Sequence, residues 1–591
     1  MANKKRIIRP RKRKLNGNQH NNSNNTNKQF DTNTGSSTSS KKLKNNLEKT
    51  LFDDDEFIFF MHFKQMKSCF EKYATCNICG TKLSMLHDHS RHLGFSLFFQ
   101  IYCSGCAFKD TFFSSPVVKN NKAGINTSEI NVRSVMAFRE IGRGRDAMLT
   151  FTSIMNMPPP LSKPSFDCIN SKLYDAYKSV AEQSMKNAAM EARRILKPDS
   201  NMNDVIDCGI SIDGTWQRRG YSSLNGVVVA TSHDNNKVLD TVTLSKFCKG
   251  FQIWERKKGT LKYEQWKVNH SCQVNHTKSA GAMESAGATE IFCSSVNKYN
   301  IRYSKYLGDG DTTSFSTVIA QKPYGDDLVP IKLECIGHYQ KRTGNRLRLK
   351  RKKLRRVKLS DGKSISGKGR LTDKVINILQ NYVGMAIRQN SNSLLEMRNS
   401  VIASLHHCTN FTSGEYRHMF CTKGEKSWCK WQSDRATGHV TYKKKVNLPV
   451  AIMEKIKPVF QDLANTGMLA KCLHGMTQNG NEAFNQLIWN RSPKTIFTSK
   501  VVVEMAVYSA TITYNDGFAK LSSVFDALNI KSGSYFEIGA SKKNSIRLKN
   551  MNKKMSDETK KKRKKLRSVR RNYFGQKLDK ETAKDYCAGG F

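Results

Sequence analysis

Residues 205–213, VIDCGISID, have the composition of a buried β-strand that ends in a carboxylate. Two further strand-like segments follow, SLNGVVVATS at 223–232 and KVLDTVTLSKF at 237–247, and the turn HDNN joins them. Runs of Val, Ile and Thr bounded by Gly, Asn and Asp favour strands. Because short connections favour antiparallel pairing, we expect three consecutive antiparallel strands here.

The chain then alternates between helical and strand-like segments. A small-residue helical stretch occupies 277–299, a fourth strand 301–309, a short helix 313–321 and a fifth strand 327–337. The order β-β-β-α-β-α-β is that of an RNase H-like domain. We therefore predict an α/β fold class, in which an RNase H-like catalytic domain with a mixed five-stranded sheet is interrupted by a helical insertion.

The positive charge is concentrated in a few segments of the chain. The net charge is +50, and Lys and Arg outnumber acidic residues 13 to 2 in 1–50, 14 to 1 in 341–370 and 15 to 2 in 542–571. This distribution is expected of a folded protein with basic arms that bind nucleic acid; solvated basic tails are the alternative.

The N-terminal segment KKRIIRPRKRK at 4–14 predicts a nuclear-import signal and localisation in the nucleus. No apolar h-region follows it, so we expect no signal peptide. No stretch approaches the ~18 apolar residues that cross a bilayer, so we expect no membrane partner. The sixteen cysteines are then expected to be reduced thiols or metal ligands.

Four cysteines form the pattern C-x2-C-x23-C-x2-C, made by Cys76, Cys79, Cys103 and Cys106. Two such knuckles bring four thiolates within reach of one tetrahedral Zn²⁺. A closed shell of four thiolates leaves no open position, so the predicted role is structural. Three histidines between the knuckles are reserve ligands that we expect to face solvent: His87, His89 and His92.

Carboxylates lie at the predicted strand ends. Asp213 ends the first strand, Asp309 and Asp311 end the fourth, and Glu482 lies on a late helix in NGNEAF. Adjacent carboxylates repel each other unless a cation neutralises them. The set predicts a two-metal site for Mg²⁺ or Mn²⁺, with Asp309 preferred over Asp311 as the second ligand. Taken singly, each acid is more often a turn or cap residue.

A second zinc site is predicted from a C-x2-H motif directly after the fifth strand. Its ligands would be Cys335 and His338, joined by Cys472 and His474 from the segment that precedes the Glu482 helix. On its own, C-x2-H is a weak signal. Competing ligands lie in the predicted insertion: His406, His407, Cys408, Cys421 and Cys429.

These patterns divide the chain into seven regions. We predict a disordered basic, Asn-rich tail (1–50), a four-cysteine zinc-binding module (51–115), a mixed and partly helical connecting region (116–204), the first part of the RNase H-like core (205–338), a basic helical insertion (339–470), the closing helices of the core (471–535) and a basic C-terminal tail (536–591).

The chain resembles the Mutator-like (MULE-type) transposases, in particular the animal type. The resemblance is carried by SIDGTWQRRGYSSLNG, YLGDGDTTSF, ECIGH, SWCKW and the TQNGNEAFNQLIW block with its following PK, over roughly 205–495. It implies a DDE-type transposase in which Asp213, Asp309 (or Asp311) and Glu482 use two metal ions. The implied reaction is DNA cleavage and strand transfer at terminal inverted repeats, with Cys335 and His338 as the family's CxxH.

The resemblance also implies the partners. These would be double-stranded DNA, both terminal inverted repeats and target DNA, and a homodimer or higher homo-oligomer that holds two ends; no small-molecule substrate is expected. The four-cysteine module would read DNA. Candidate DNA-contacting residues are Arg218, Arg219, Arg346, Arg348, Lys350, Arg351, Lys352, Lys353, Arg355 and Arg356. Two alternatives are a catalytically silent DNA-binding protein derived from a transposase and an RNase H-like nuclease.

Overall fold

The computed structural model describes most of the chain between residues 57 and 566. The described ranges are 57–118, 127–201, 203–217, 223–310, 312–425, 427–444 and 446–556, with residues 558, 559, 562, 563 and 566. The predicted tail 1–50, the candidate ligand Asp311 and the candidate DNA contacts Arg218 and Arg219 lie outside the described residues.

The first described region is a small antiparallel sheet with one helix. The helix α1 spans Phe63–Tyr73 and precedes the strands β1 (Leu83–His87), β2 (Phe98–Cys103) and β3 (Lys109–Phe113), which pair in the order β1-β2-β3. The strand pair β4 (Val117–Val118) and β5 (Thr127–Ser128) follows.

Three helices lead to the main sheet: α2 (Glu129–Glu140), α3 (Arg145–Ile154) and α4 (Lys163–Leu196). Helix α4 has 34 residues and lies in the connecting region that we predicted to be mixed and partly helical. The Ser162 hydroxyl accepts a hydrogen bond from the Ser165 N–H, and Pro164 lies in the first turn. Both features favour a helix start at this point.

The main sheet contains five strands: β6 (Ile206–Trp216), β7 (Asn225–Ser232), β8 (Val238–Ser245), β9 (Ile301–Gly308) and β10 (Ile331–Glu334). Their order is β10-β9-β6-β7-β8; β9 is parallel to β6 and β10, and the pairs β6–β7 and β7–β8 are antiparallel. The mixed five-stranded sheet agrees with the prediction. The fifth strand is shorter than predicted because Pro330 precedes it and Cys335 caps the next helix.

The remaining helices are α5 (Lys249–Trp254), α6 (Leu261–Asn269), α7 (Ala282–Tyr299), α8 (Thr313–Ala320), α9 (Ile336–Lys353), α10 (Asp373–Gln389), α11 (Leu394–His406), α12 (Gly414–His418), α13 (Lys430–Thr437), α14 (Val450–Leu463), α15 (Thr466–Ala470), α16 (Asn479–Arg491), α17 (Lys500–Asn515), α18 (Ser522–Asp526) and α19 (Ser534–Met555). Glu255–Lys257 and Phe518–Leu521 are 3-10 turns. No helix in the described ranges has the length and apolarity needed to span a bilayer.

Helices cover both faces of the main sheet. All eight residues of β7 are buried, and its side chains alternate between two cores. Val228 and Ala230 pack with α7, whereas Val227 and Val229 pack with α16 and α17. A strand buried on both faces explains why NGVVVATS is a continuous apolar run without polar alternation.

The helices α9, α10, α11, α14 and α15 share a separate core. Fully buried side chains at Leu347, Leu379, Ile387 and Phe460 belong to it. In α10 the buried residues include Ile376, Leu379, Val383 and Ile387, which share one face of the helix. The run RLRLKRKK lies on helix α9, which begins two residues after β10 ends.

Candidate active site and metal centres

A row of polar side chains joins α16 to the central strand β6 of the sheet. The Gln478 side chain donates to the Ile212 carbonyl at 2.7 Å, and the Asn481 side chain donates to the Ser211 carbonyl at 3.1 Å. Two more members, Asn485 and Trp489, follow at a spacing of four residues. Residues three or four apart share one helical face. This face therefore sets the height and rotation of α16 over β6.

Two aspartates occupy matching positions at β6 and β9. The parallel pairing puts Ser211 opposite Leu307; Asp213 lies two residues further along β6, and Asp309 lies two residues after Leu307, directly after the end of β9. Side chains two apart share a face, so both carboxyl groups lie on one face of the sheet. The prediction that Asp213 ends its strand was wrong. The strand β6 continues to Trp216 because it stays paired with β7.

Glu482 reaches the same place from α16. It follows Asn481, whose contacts with the sheet fix that turn of the helix. Its carboxylate lies 4.0 Å from His338 Nε2 and 3.9 Å from Lys341 Nζ, both on α9. The Glu482 side chain is 58% exposed. The cluster therefore faces solvent on the Glu482 side.

The charges of this cluster act on each other. Burial, followed by the negative charges of Asp309 and Glu482, raises the pKa of Asp213 from 3.8 to about 7. Two neighbours oppose the rise in this pKa: the Asn485 side chain donates to Asp213 Oδ2 at 2.8 Å, and Lys494 adds a positive charge. Without a cation the three acids are thus held together at an electrostatic cost.

Lys494 and Trp489 form a support beside the cluster. The Lys494 ammonium lies 4.8 Å from the centre of the Trp489 ring and 3.4 Å from Thr215 Oγ1. The Trp489 indole N–H also donates to Thr215 Oγ1, at 2.9 Å. Neither Asn485 nor Trp489 was among the predicted site residues, although the polar spacing 478, 481, 485 and 489 is readable in the sequence.

The C-x2-H motif divides between two roles. Cys335 is buried, precedes α9 as its N-cap, and its sulfur accepts the Gln478 backbone N–H at 3.4 Å. His338 instead faces the carboxylates. Burial is the main cause that lowers its pKa, and the charges of Asp309 and Glu482 act in the opposite direction. The cysteine therefore helps to place α16, while the histidine borders the acidic cluster.

The other two ligands predicted for the second zinc site are also engaged elsewhere. His474 Nε2 lies 2.9 Å from the Lys471 carbonyl oxygen, and His474 Nδ1 accepts the Met476 N–H at 2.9 Å. The Cys472 thiol is 3.7 Å from the Met468 carbonyl. Within the described ranges, the four predicted residues do not form a group whose ligand atoms all lie within 4.8 Å of one another. The structure thus does not assemble this predicted site.

The four-cysteine group is assembled as predicted. Its sulfur atoms approach in pairs, Cys76 to Cys106 at 3.6 Å and Cys79 to Cys103 at 3.4 Å. Tetrahedral zinc with Zn–S bonds of ~2.3 Å has S–S edges of ~3.8 Å. The backbone N–H groups of Ile78 and Cys79 lower the pKa of Cys76, which favours the thiolate. These residues could hold zinc.

The first knuckle turns tightly at Gly80. The Gly80 N–H donates to the Cys76 carbonyl at 2.8 Å, and Gly80 has a φ of +74°, which favours glycine.

Of the predicted reserve ligands, His89 is exposed, whereas His87 and His92 are half-buried.

Two further groups in the described ranges have ligand atoms within 4.8 Å of one another. One is His407, His418, Cys421 and Cys429; the other is Cys248, His270 and Cys272. His418 was not among the competing ligands that the sequence singled out, although it lies three residues before Cys421.

The basic run is not uniformly available to a ligand. Arg348 and Arg351 both pair with Asp373, and Arg346 approaches Asp462 at 3.9 Å. Leu347 between them is fully buried. The exposed members are Lys352, Lys353, Arg355 and Arg356. Residues 346–353 of the run lie on helix α9, and Arg355 and Arg356 lie on the turn after it, so this basic segment is not a solvated tail.

The family model described as Mutator-like transposase matches residues 57–429. This range includes the four-cysteine group, Asp213 and Asp309 but ends before Glu482, whose place in the cluster thus depends on the geometry. A comparison with curated proteins found no match. The matched range covers more than half of the 591 residues, and the chain therefore belongs to the Mutator-like transposase family.

Proposed function

We propose that this protein is a DDE-type DNA transposase with an RNase H-like catalytic domain. The observation that carries the proposal is the convergence of Asp213, Asp309 and Glu482. Burial, followed by the charges of Asp309 and Glu482, raises the pKa of Asp213. The strand order β10-β9-β6-β7-β8, with three antiparallel strands followed by two parallel ones, supports the RNase H-like assignment. Family membership supports an enzyme that acts on DNA.

The donor set fits a pair of divalent cations. Three carboxylates that repel each other are hard oxygen ligands of the kind that Mg²⁺ and Mn²⁺ take. Asn485 Oδ1, beside Asp213, is buried and has no hydrogen-bond partner among the residues that the structure describes. When bound, such ions would polarise the scissile phosphate and stabilise the attacking and leaving oxygens.

The remaining side chains hold this arrangement in place. Asn485 orients Asp213 through its amide N–H, and Lys494 keeps a positive charge next to it. His338 and Lys341 place cationic or hydrogen-bonding groups beside Glu482, on the solvent side where a phosphate would enter. Positioning of this kind is the protein's main contribution to phosphoryl transfer.

The basic helix α9 supports duplex DNA as the substrate. It starts at the acidic cluster and its 18 residues extend for ~27 Å, so its exposed cationic end lies well away from the reacting phosphate. Lys352, Lys353, Arg355 and Arg356 would contact phosphates along one DNA end. We further propose that the DNA ligands are the terminal inverted repeats of the transposable element. At least two protein chains would assemble to hold the two transposon ends, and the reaction would take place in the nucleus.

The test uses the full-length protein, Mg²⁺ and a duplex that carries the element's own terminal repeat. Asp213→Asn and Glu482→Gln should abolish nicking and strand joining while binding of the duplex is retained. Asp207→Asn is the matched control, because it lies on the same strand and pairs with Arg302 away from the cluster. Binding without cleavage by the unmodified protein would favour a silent DNA-binding protein, and cleavage restricted to RNA–DNA hybrids would favour a nuclease.

A further inference from the structure

A second metal-ligand cluster lies in the helical region, apart from the acidic site. Its members are all buried: His407 is 9% exposed, His418 1%, Cys421 4% and Cys429 0%. They come from four separate turns of chain, the end of α11, the end of α12, the loop after it and the start of α13. Two thiols and two imidazoles thus meet in one place without a carboxylate among them.

The distances within this cluster match a tetrahedral metal site. Both histidines present Nδ1 to both sulfurs, with His407 Nδ1 3.7 Å from Cys421 Sγ and 3.6 Å from Cys429 Sγ. The corresponding distances from His418 Nδ1 are 3.7 Å and 3.3 Å. Bonds of ~2.3 Å to sulfur and ~2.0–2.1 Å to nitrogen give S–N edges of ~3.5 Å in a tetrahedron.

Hydrogen bonds alone do not account for the four contacts. Each Nδ1 carries either one hydrogen or one lone pair, so each histidine makes one hydrogen bond through this atom. At most two of the four sulfur–nitrogen contacts can then be hydrogen bonds. A cation at the centre satisfies all four ligand atoms together.

The segment 409–448 around the cluster has only a small core of its own. At its base the segment joins the helical core through the bridge between Thr409 and Leu448 and through buried Val446 and Leu448. The described part of the segment contains two short helices, and its own core comprises Cys421, Cys429 and a few aromatic side chains beside Ala403 of α11. Segments with so small a core commonly depend on a metal for their fold.

We propose that His407, His418, Cys421 and Cys429 bind a structural Zn²⁺ that folds the segment 409–448 onto the helical core. Two thiolates and two imidazoles in a tetrahedron select zinc among the common cellular cations. The four protein ligands close the coordination shell, so the ion has no open position for a substrate. Buried Arg417 also holds the segment in its folded position, because its guanidinium donates to the His407 carbonyl and to the Val446 carbonyl at the base of the segment.

The test measures zinc per chain in the purified full-length protein by native mass spectrometry. To isolate this site, it is performed in a Cys103→Ser background that removes a ligand of the four-cysteine group. His418→Asn should lower the zinc content by one ion per chain, whereas Cys408→Ala should not. Cys408 is the matched control, since it is a buried thiol one residue after His407 but outside the cluster.

A second measurement covers the case in which His418→Asn fails to fold. The Cys103→Ser protein, with His418 intact, is reconstituted with Co²⁺, and its visible spectrum is recorded. The proposal predicts the absorption of tetrahedral cobalt with two thiolate ligands, lost on competition with Zn²⁺. An octahedral spectrum, an unchanged zinc content in His418→Asn, or iron in place of zinc would overturn the proposal.

Discussion

Replacement of Asp213 by asparagine should stabilise the Mg²⁺-free protein at neutral and alkaline pH. The folded protein holds the pKa of Asp213 at about 7, against 3.8 for the ordinary side chain. Between these two values the folded state binds the proton and the unfolded state does not. The stability of the Mg²⁺-free protein therefore falls as the pH rises from about 4 to about 7.

The magnitude follows from the same two values. A rise of the pKa from 3.8 to about 7 corresponds to ~4 kcal/mol, at ~1.36 kcal/mol for each pH unit. Above pH 7 the Asp213→Asn protein should be the more stable by up to that amount, or about 8–16 °C in the unfolding midpoint of a unit of ~150–250 residues. The Asn485 hydrogen bond can be kept, because the asparagine oxygen accepts it in place of Asp213 Oδ2.

The assay is thermal unfolding of the zinc-loaded protein in buffer without Mg²⁺ or chelator from pH 4 to pH 8.5, repeated with Mg²⁺. Relative to Asp213→Asn, the unmodified protein should lose stability across this range and regain it with Mg²⁺, whereas Mg²⁺ should leave the stability of Asp213→Asn unchanged. Asp207→Asn should keep the Mg²⁺ response of the unmodified protein. Parallel curves for the unmodified protein and Asp213→Asn would refute the idea that the acids repel each other at one site.

Three further changes test the surroundings of the site. Asn485→Ala removes a hydrogen bond that lowers the pKa of Asp213, so half-maximal DNA cleavage at pH 7 should need roughly tenfold more Mg²⁺, with recovery at higher pH. Lys494→Met should also raise the Mg²⁺ concentration needed for half-maximal cleavage, because the Lys494 charge lowers the pKa of Asp213. An unchanged Mg²⁺ titration would argue against an electrostatic role for Lys494. Gly287→Ala should destabilise the protein by about 1–3 kcal/mol in chemical unfolding, because the new Cβ would lie 2.6 Å from Val228 Cγ2; no loss of stability would show that α7 can move away from the sheet.

Much of the sheet was predictable because its signals are local. Continuous apolar runs such as NGVVVATS mark strands buried on both faces, and the short turns between them enforce antiparallel pairing. The two CxxC knuckles are also local, since each places two sulfurs on one turn. The acids at Asp213 and Asp309 could be paired from strand order alone, because parallel neighbours end at the same edge of a sheet.

Contacts between distant segments were not predictable in the same way. The proximity of Cys335 and His338 in sequence suggested a shared metal, yet the fold turns the thiol toward Gln478 and the imidazole toward Glu482. Helix α9 starts between them, and successive positions on a helix point in different directions. Spacing therefore singled out two residues that lie beside the acidic cluster and its helix α16, but not the partner of either.

The sequence by itself determined the five strands, the four-cysteine knuckles and the acids Asp213 on β6 and Asp309 after β9, because each depends on neighbours along the chain. Only the tertiary structure decided that Asn485 holds Asp213 and that His418 joins Cys421 and Cys429. Those contacts depend on how α16 lies over β6 and how the segment 409–448 folds back on the helical core. The packing of whole elements sets such positions, and side-chain spacing within one element carries no information about them.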